Sequence, residues 1–551
     1  MIARILIGLA ILVLAAASYP GVLVVSLATR IAASPSAGPA TGGVLPWLHV
    51  EHPSGQRPYI ADEQGRLVIL RGATPAALVD YGPNSVLPPI DPSEYDQDRC
   101  PSSVDWPTYP PLCRSDLRRM AALGFNSIRL PLSWSLLEPE RGRFNETYLE
   151  RVSQIVGWAR NQGMYVIVDM HQNAFSHFIP KGDGVNLRYN DGAPRWATFT
   201  DGFPSFAIKN QREVNPAVFE ATTNFWYDRD GIQDEYIAAV AQIARRFKDD
   251  STVAGYGIYN EAWFGWNLPP GFDDLLLFPF YRRVIDAITG ARDGLPCWSG
   301  FFMPASCGYR DLGVGDRRHL IFLDTGLLRE ITDFPTHLAL PVSSYPNVVL
   351  ALHAYTHIYT ADYFLNMPRD SYPWGGFDQS WDLAEREAKA MDAALFLEEF
   401  GNNPGKDDTA LLAHQLLEAE KHRTGFAFWT WAEVSGDWGL FDTKRGCVAR
   451  DRERMLARVY PRLSADAGAT FQYDPSDGRF TMRGRGKAGD PTTVVYVPPE
   501  VAGDITWDGG VSVVVSANEG DGSRLAFATP TGGAYTIAVS PAPLRLTGCG
   551  G

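Results

Sequence analysis

Cysteine is scarce in this chain of 551 residues: Cys100, Cys113, Cys297, Cys307, Cys447 and Cys549 are the six. None falls in a Cys-x-x-Cys or Cys/His spacing of the kind that holds zinc. Basic charge is also in deficit. Lys and Arg number 49 against 63 Asp and Glu, a formal charge of -14, and no basic stripe stands out. That balance argues against nucleic acid as a partner and against simple electrostatic attraction to anionic lipid.

What is present is the composition of a globular protein, 45% hydrophobic and 20% charged, with 15 Trp and 40 Pro. The length fits one large domain with a small one attached, or several of ordinary size. From Ile5 to Thr29 no residue is charged, and Arg4 and Arg30 flank the run. At ~1.5 Å per residue such a run can cross a hydrocarbon core. Pro20 and Gly21 interrupt it, and a small, polar stretch extends from Ser34 to Gly43. Residues 1–45 therefore read as a signal peptide or a membrane anchor plus linker, and either would export the remainder of the chain. The expected location is secreted, or membrane-anchored through residues 5–29 with the catalytic domain outside the cytoplasm. Cys100–Cys113 and Cys297–Cys307, close in sequence and beside prolines, suit loop disulfides; free thiols are the alternative.

Eight apolar runs succeed one another: "RLVILRGA" (66–73), "FNSIRLPLSW" (125–134), "MYVIVDMHQ" (164–172), "VAGYGIYNE" (253–261), "HLIFLDTG" (319–326), "NVVLALHAY" (347–355), "ALFLEEFG" (394–401) and "GFAFWTWAE" (425–433). Amphipathic helical patterns such as 146–163 and 234–250 lie between them. Near-continuous apolar strands alternating with helices predict a parallel sheet covered by helices. Eight units suggest a closed (β/α)₈ barrel over residues 46–462, with an open doubly wound sheet as the alternative. Arg129, His171, Glu261, His353, Tyr355, Glu399 and Trp429 all fall at or near strand ends. A barrel gathers such ends on one face, whereas an open sheet would spread them along a line, so the clustering favours the barrel. From residue 463 to 551 short alternating strands with Gly, Pro and Asp turns predict a small antiparallel β-sandwich.

Two carboxylates close the fourth and seventh runs, Glu261 and Glu399. Glycosidic bond cleavage needs such a pair, one protonated to assist the leaving oxygen and one ionised to attack or to activate water. Alternation along a strand lets only one of Glu398 and Glu399 face the mouth. Trp263, Phe264 and Trp266 come directly after Glu261, and an apolar wall there would raise its pKa as an acid requires. The long insertion 173–233 adds Phe175, Phe178, Trp196, Phe199, Phe203, Phe206 and Trp226, which either pack the loop or line an apolar slot. His353 and His357 lack helical i, i+4 geometry and a nearby carboxylate to complete a ligand set, so no metal is expected, nor any cofactor.

The ordered set "RLPLSW", "DMHQ", "IYNEA", "LHAY", "LEEFG" and "FAFWTW" resembles glycoside hydrolase family 5, a retaining (β/α)₈ family. Within it, "DMHQNAFS" followed by "DGAPRWATFTDGFP" and the appended β-domain look like the endoglycoceramidases. The resemblance implies Glu261 as acid/base and Glu399 as nucleophile. It implies Arg129 orienting the nucleophile, Asn260 at the sugar 2-hydroxyl, and His171, Gln172, Asn173, His353, Tyr355 and Trp429 around the sugar. Trp263 and Phe264 would stand on the aglycone side. Three positions depart from the pattern: Ala262 replaces the usual Pro, Glu398 a small residue, and Asn173 an Asp that contacts sugar. The implied activity is a retaining β-glycosidase acting on a glycolipid. A β-glucanase acting on a soluble β-glycan is the alternative, and an inactive carbohydrate- or lipid-binding protein on the same scaffold is another.

Overall fold

Three short strands open the fold: β1 (Leu48–Glu51), β2 (Tyr59–Asp62) and β3 (Leu67–Val68). Eight more come next: β4 (Arg71–Ala73), β5 (Ser127–Ser133), β6 (Tyr165–His171), β7 (Val253–Gly257), β8 (Leu320–Asp324), β9 (Val348–His353), β10 (Ala394–Phe400) and β11 (Phe426–Phe428). These eight are parallel, and β11 pairs with β4 to close a barrel. The computed structural model describes residues 44–550 except 82–86, 96–99, 102–108, 183–184, 186, 188, 207–211, 269–270, 292–310, 333–344, 356–376, 403–408, 435–437 and 519. The uncharged run 5–29, Cys297, Cys307 and His357 lie outside the described residues. Among those described, no helix is long and apolar enough to cross a membrane.

Barrel strands are buried on both faces, which is why they read as continuous apolar runs. Their outward residues pack against helices such as Glu146–Asn161 and Ile232–Phe247. The inward residues Ile167, Phe322, Val349 and Phe396 form a lower layer with Leu48, Val50 and Ile60 of the β1–β2 hairpin, which closes the N-terminal end. The polar residues His171, Asp324, His353 and Glu399 come at or next to the C-terminal ends of β6, β8, β9 and β10, at the mouth.

Beyond the barrel come β12 (Phe441–Asp442), β13 (Cys447–Val448), β14 (Tyr460–Ser464), β15 (Thr470–Tyr473), β16 (Phe480–Gly486), β17 (Thr493–Val497), β18 (Ile505–Ala517) and β19 (Arg524–Val539). The C-terminal unit is one curled antiparallel sheet of nine strands, ordered β1-β2-β3-β14-β17-β19-β16-β15, with β18 along β19. It recruits the hairpin from the other end of the chain. The run 66–73, read as one strand, serves two sheets: Leu67 and Val68 join β2 and β14, and Arg71 begins the barrel. The expected break after residue 462 falls inside β14. "RLAFAT" and "AYTIAVS" are a single strand, carried through Gly532 and Gly533 at φ 136° and 90°, which favour glycine. Cys100–Cys113 is a disulfide as anticipated, and Cys447 pairs with Cys549.

Candidate active site

Arg129 is the third residue of β5, so it sits below the strand ends and reaches upward, fully buried. Its Nη1 donates to Glu399 Oε2 at 2.5 Å and its Nη2 to Asn260 Oδ1 at 2.6 Å. Nη2 also lies 2.9 Å from Asp169 Oδ2, and Nε lies 3.6 Å from Glu398 Oε1. Burial works against the guanidinium charge, but Asp169, Glu398 and Glu399 outweigh it and raise its pKa well above the usual value. Space for Asp169 comes from the neighbouring strand, where a Cβ on Gly257 would stand 2.5 Å from its carboxylate. Tyr355 donates to the other oxygen of Glu399, Oε1, at 2.8 Å.

Glu398 does not face away, contrary to the alternation argument. On β10, Leu397 pairs with Leu352 and Glu399 with the very next residue, His353, so two steps on β10 oppose one on β9. This is a β-bulge, which adds a residue and turns its side chain away from strict alternation. Glu398 is buried inside the barrel, near Arg129 and 3.8 Å from His353 Nε2, while Glu399 stands above it.

Glu261 lies four residues past β7 with φ 43°, in the left-handed region that L side chains seldom occupy. Three side chains hold it. Its N–H donates to Asp324 Oδ2 at 2.7 Å, and Gln172 Nε2 donates to the carbonyls of Asn260 and Glu261 at 2.7 and 3.0 Å. His353 Nδ1 lies 3.1 Å from Glu261 Oε1. An oxygen of Glu261, one of Glu399 and a ring nitrogen of His353 fall within 4.8 Å of one another. Retaining glycosidases separate their carboxyl groups by about 5–5.5 Å and inverting ones by about 6.5–9.5 Å. The spacing is of the retaining kind.

The electrostatics of Glu261 differ from expectation. Burial does push its pKa up, but His353, Arg212 and His171 outweigh that and hold the carboxylate below its ordinary range. Burial lowers the His353 pKa, yet Asp324, Glu330, Glu399 and Glu261 overcome it and raise it well above the usual imidazole range. Glu261 and His353 thus share one proton, resting on the imidazole side.

Around the mouth, the Trp429 ring stacks on His171 at 5.4 Å, and Tyr109 meets Trp429 edge-on at 5.8 Å. Tyr81 packs on Tyr109 at 4.8 Å. The Trp429–Thr430 peptide is cis. His171 is held at both ring nitrogens, by Asp169 Oδ2 and Asn173 Nδ2, each at 3.2 Å. Arg212 Nη2 donates to Asn173 Oδ1 at 3.0 Å. Gln172 was expected to face sugar. Its amide instead braces the Glu261 turn and accepts the Phe175 N–H, because a left-handed residue needs its neighbouring carbonyls satisfied.

On the aglycone side the expectation needs correcting at Trp263, which is buried against Phe219 and Phe264 while its carbonyl accepts from Trp226 Nε1. Phe264 is half-buried. Phe175 and Trp226 are core, whereas Phe203, Phe206 and Trp266 stay open, with Phe203 and Trp266 in ring contact at 5.6 Å. Sequence reasoning missed Tyr81, Tyr109, Asp169, Asp191, Arg212, Asp324 and Glu330. Asp169 was findable, since it precedes His171 by two and so shares its face of β6. Asp324 was findable too, as the polar residue that ends β8, whereas the others come from loops or a short helix without a periodic signal.

Residues 101–289 match the model of the family described as Cellulase (glycosyl hydrolase family 5). Endoglycoceramidase I of Rhodococcus hoagii (strain 103S) is 23% identical over 454 residues, covering 78% of this chain and 80% of that protein. The endoglycoceramidase of Cyanea nozakii is 30% identical over 205 residues, 31% of this chain and 39% of its relative. Among solved structures, the crystal structure of endogalactoceramidase is similar with a TM-score of 0.69 and 26% identity, over 90% of this chain and 100% of that one.

Proposed function

We propose that this chain is a retaining β-glycosidase of the family 5 type that releases a sugar or glycan from a glycolipid, as the names of its endoglycoceramidase relatives suggest. The observation that carries the reading is the facing pair Glu399 and Glu261, one gripped by Arg129 and Tyr355 and the other hydrogen-bonded to His353. In the first step Glu399 attacks the anomeric carbon, and the aglycone oxygen leaves with the proton of Glu261. A glycosyl ester on Glu399 results. In the second step Glu261 takes a proton from water, the water oxygen attacks the anomeric carbon, and Glu399 is released. Substrate filling the cleft covers the remaining exposed part of Glu261 and disfavours its separated charge, so the proton shared with His353 passes to Glu261 as it is needed.

Trp429 would stack beneath the sugar and the free amide hydrogen of Asn260 would meet its 2-hydroxyl. The lipid would run past Phe264 toward Trp266 and Phe203. The uncharged run Ile5–Thr29 supports export, as a cleaved signal or as an anchor that keeps the barrel beside a membrane. The test is hydrolysis of an aryl β-glycoside, glucosylceramide and a soluble β-glucan, with the product anomer followed by NMR. Retention with glucosylceramide turned over well ahead of the glucan is expected. Inversion, or preference for the glucan, overturns the reading.

A further inference from the structure

Behind Glu261 lies a pair of carboxyl groups that neither step of the double displacement uses. Asp324 ends β8, and Glu330 sits in the helix Leu327–Thr332; both are buried at 2% exposure. Asp324 Oδ2, which accepts the Glu261 N–H, also lies 3.4 Å from His353 Nε2. Glu330 Oε2 lies 3.7 Å from His353 Nδ1, and Thr325 Oγ1 donates to Glu330 Oε1 at 3.4 Å. An oxygen of each acid and a nitrogen of His353 fall within 4.8 Å of one another. Asp324 Oδ1 and Glu330 Oε2 have no hydrogen-bond partner among the described residues.

Glu261, Asp324, Glu330 and Glu398 thus converge on one imidazole. Two buried carboxyl groups that face each other do not both ionise; one keeps a proton and donates it to the other. We propose that Asp324 and Glu330 are a proton-sharing carboxyl pair, Glu330 the neutral donor and Asp324 the charged acceptor, that positions His353 and Glu261 for proton transfer. The proposal rests on the glycosidase reading. Asp324 does two things at once: its charge keeps the proton on His353 available to Glu261, and its oxygen clamps the peptide of a residue in left-handed conformation. Glu330 holds Asp324 in that orientation. Burial agrees with these states, pushing Asp324 up to about 6 and Glu330 well above the carboxylate range.

A residue acting through the acid/base should matter only where the leaving group needs a proton. The experiment compares kcat/KM on an alkyl β-glycoside and on a dinitrophenyl β-glycoside for wild type, Asp324→Asn, Glu330→Gln and Glu330→Ala. Asp324→Asn should lose ~100-fold on the alkyl substrate and under ~5-fold on the dinitrophenyl one, in line with the weight of general acid catalysis. Glu330→Gln, whose amide donates as the protonated acid does, should stay within ~3-fold of wild type, while Glu330→Ala loses ~10-fold on the alkyl substrate alone. The infrared difference spectrum of wild type minus Glu330→Gln at neutral pH should contain a protonated-carboxyl band, a readout independent of turnover. Equal losses on both substrates, a missing band, or a divalent cation bound stoichiometrically between these residues would overturn the proposal. A wild type that cleaves neither glycoside but shows the band would sink the glycosidase reading and leave the pair standing.

Discussion

Glu398 and Glu399 are neighbours in one strand, yet Arg129 meets both, Glu399 at 2.5 Å and Glu398 at 3.6 Å. The bulge in β10 makes this geometry, and it separates two acids that sequence alone would confuse. Only Glu399 also takes a hydrogen bond from Tyr355 and shares the open cleft with Glu261. Glu399→Gln should therefore abolish turnover on every substrate, because no other carboxylate can form the glycosyl ester. Glu398→Gln should keep activity within ~100-fold of wild type, as a group that tunes charge and forms no covalent bond. Trapping with a 2-fluoro glycoside and mass spectrometry would place the label; a label on Glu398 would reverse the assignment.

The proton shared by His353 and Glu261 sets an alkaline limit to activity. The pair keeps it until the His353 pKa, raised well above the imidazole range, is passed. Activity should fall as pH rises through that value, because the acid is then lost. His353→Asn leaves the proton on Glu261 alone, where burial raises a carboxyl pKa but without a second group to store the proton. The alkaline limb of kcat/KM should move to lower pH in that variant. Glu261→Gln should spare activated aryl glycosides, with azide restoring the second step. An unmoved alkaline limb in His353→Asn would count against the shared proton.

Most of the barrel was legible, because a strand buried on both faces must be apolar throughout. The run 66–73 was misread as one strand for the same reason, since Leu67 and Arg71 are equally buried in two different sheets. The hairpin strands "LHVE" and "YIAD" carry only four residues each, too few for alternation to stand out, so their union with the C-terminal sheet was invisible. Arg129, Asn260, Glu261, His353, Tyr355 and Glu399 were legible as polar residues interrupting or ending apolar runs. The position of Glu398 was not, since a bulge has no signature in alternation. Asp191 and Arg212 reach the site from the long insertion after β6, whose path no local pattern gives, and Glu330 from a helix of 6 residues, too short to show a period.

Asp191 offers a test through stability. It is fully buried beside Asn173, and burial, opposed by His171, pushes its pKa up to about 7 from an ordinary 3.8. A raised folded-state pKa favours the fold fully at low pH and loses that contribution as pH rises toward 7. Asp191→Asn removes the titration. Its thermal midpoint should gain steadily on wild type between pH 4 and 7 and then run parallel, with a ceiling of about 4 kcal/mol. A constant gap between the two curves would mean that Asp191 is ionised throughout.

The lipid side is tested by rings that differ in burial within one loop. Trp263 keeps 8% of its surface and supports the wall, whereas Trp266 keeps 40% and touches Phe203, itself 39% exposed. Removing a buried Trp costs about 3–5 kcal/mol, so Trp263→Ala should lower thermal stability and reduce activity on all substrates together. Trp266→Ala and Phe203→Ala remove rings that are partly open to solvent, so they should lower the melting temperature less than Trp263→Ala and leave aryl-glycoside turnover near wild type. If an alkyl chain lies along these rings, each methylene it loses from cover costs up to about 0.8 kcal/mol. Two or three methylenes then correspond to a drop of ten-fold or more in kcat/KM for a long-chain glycolipid. A series of alkyl β-glycosides of increasing length makes the measurement internal. Wild-type kcat/KM should climb with chain length and the double variant Phe203→Ala/Trp266→Ala should flatten the climb. Parallel slopes in the two proteins would move the lipid away from this face of the barrel.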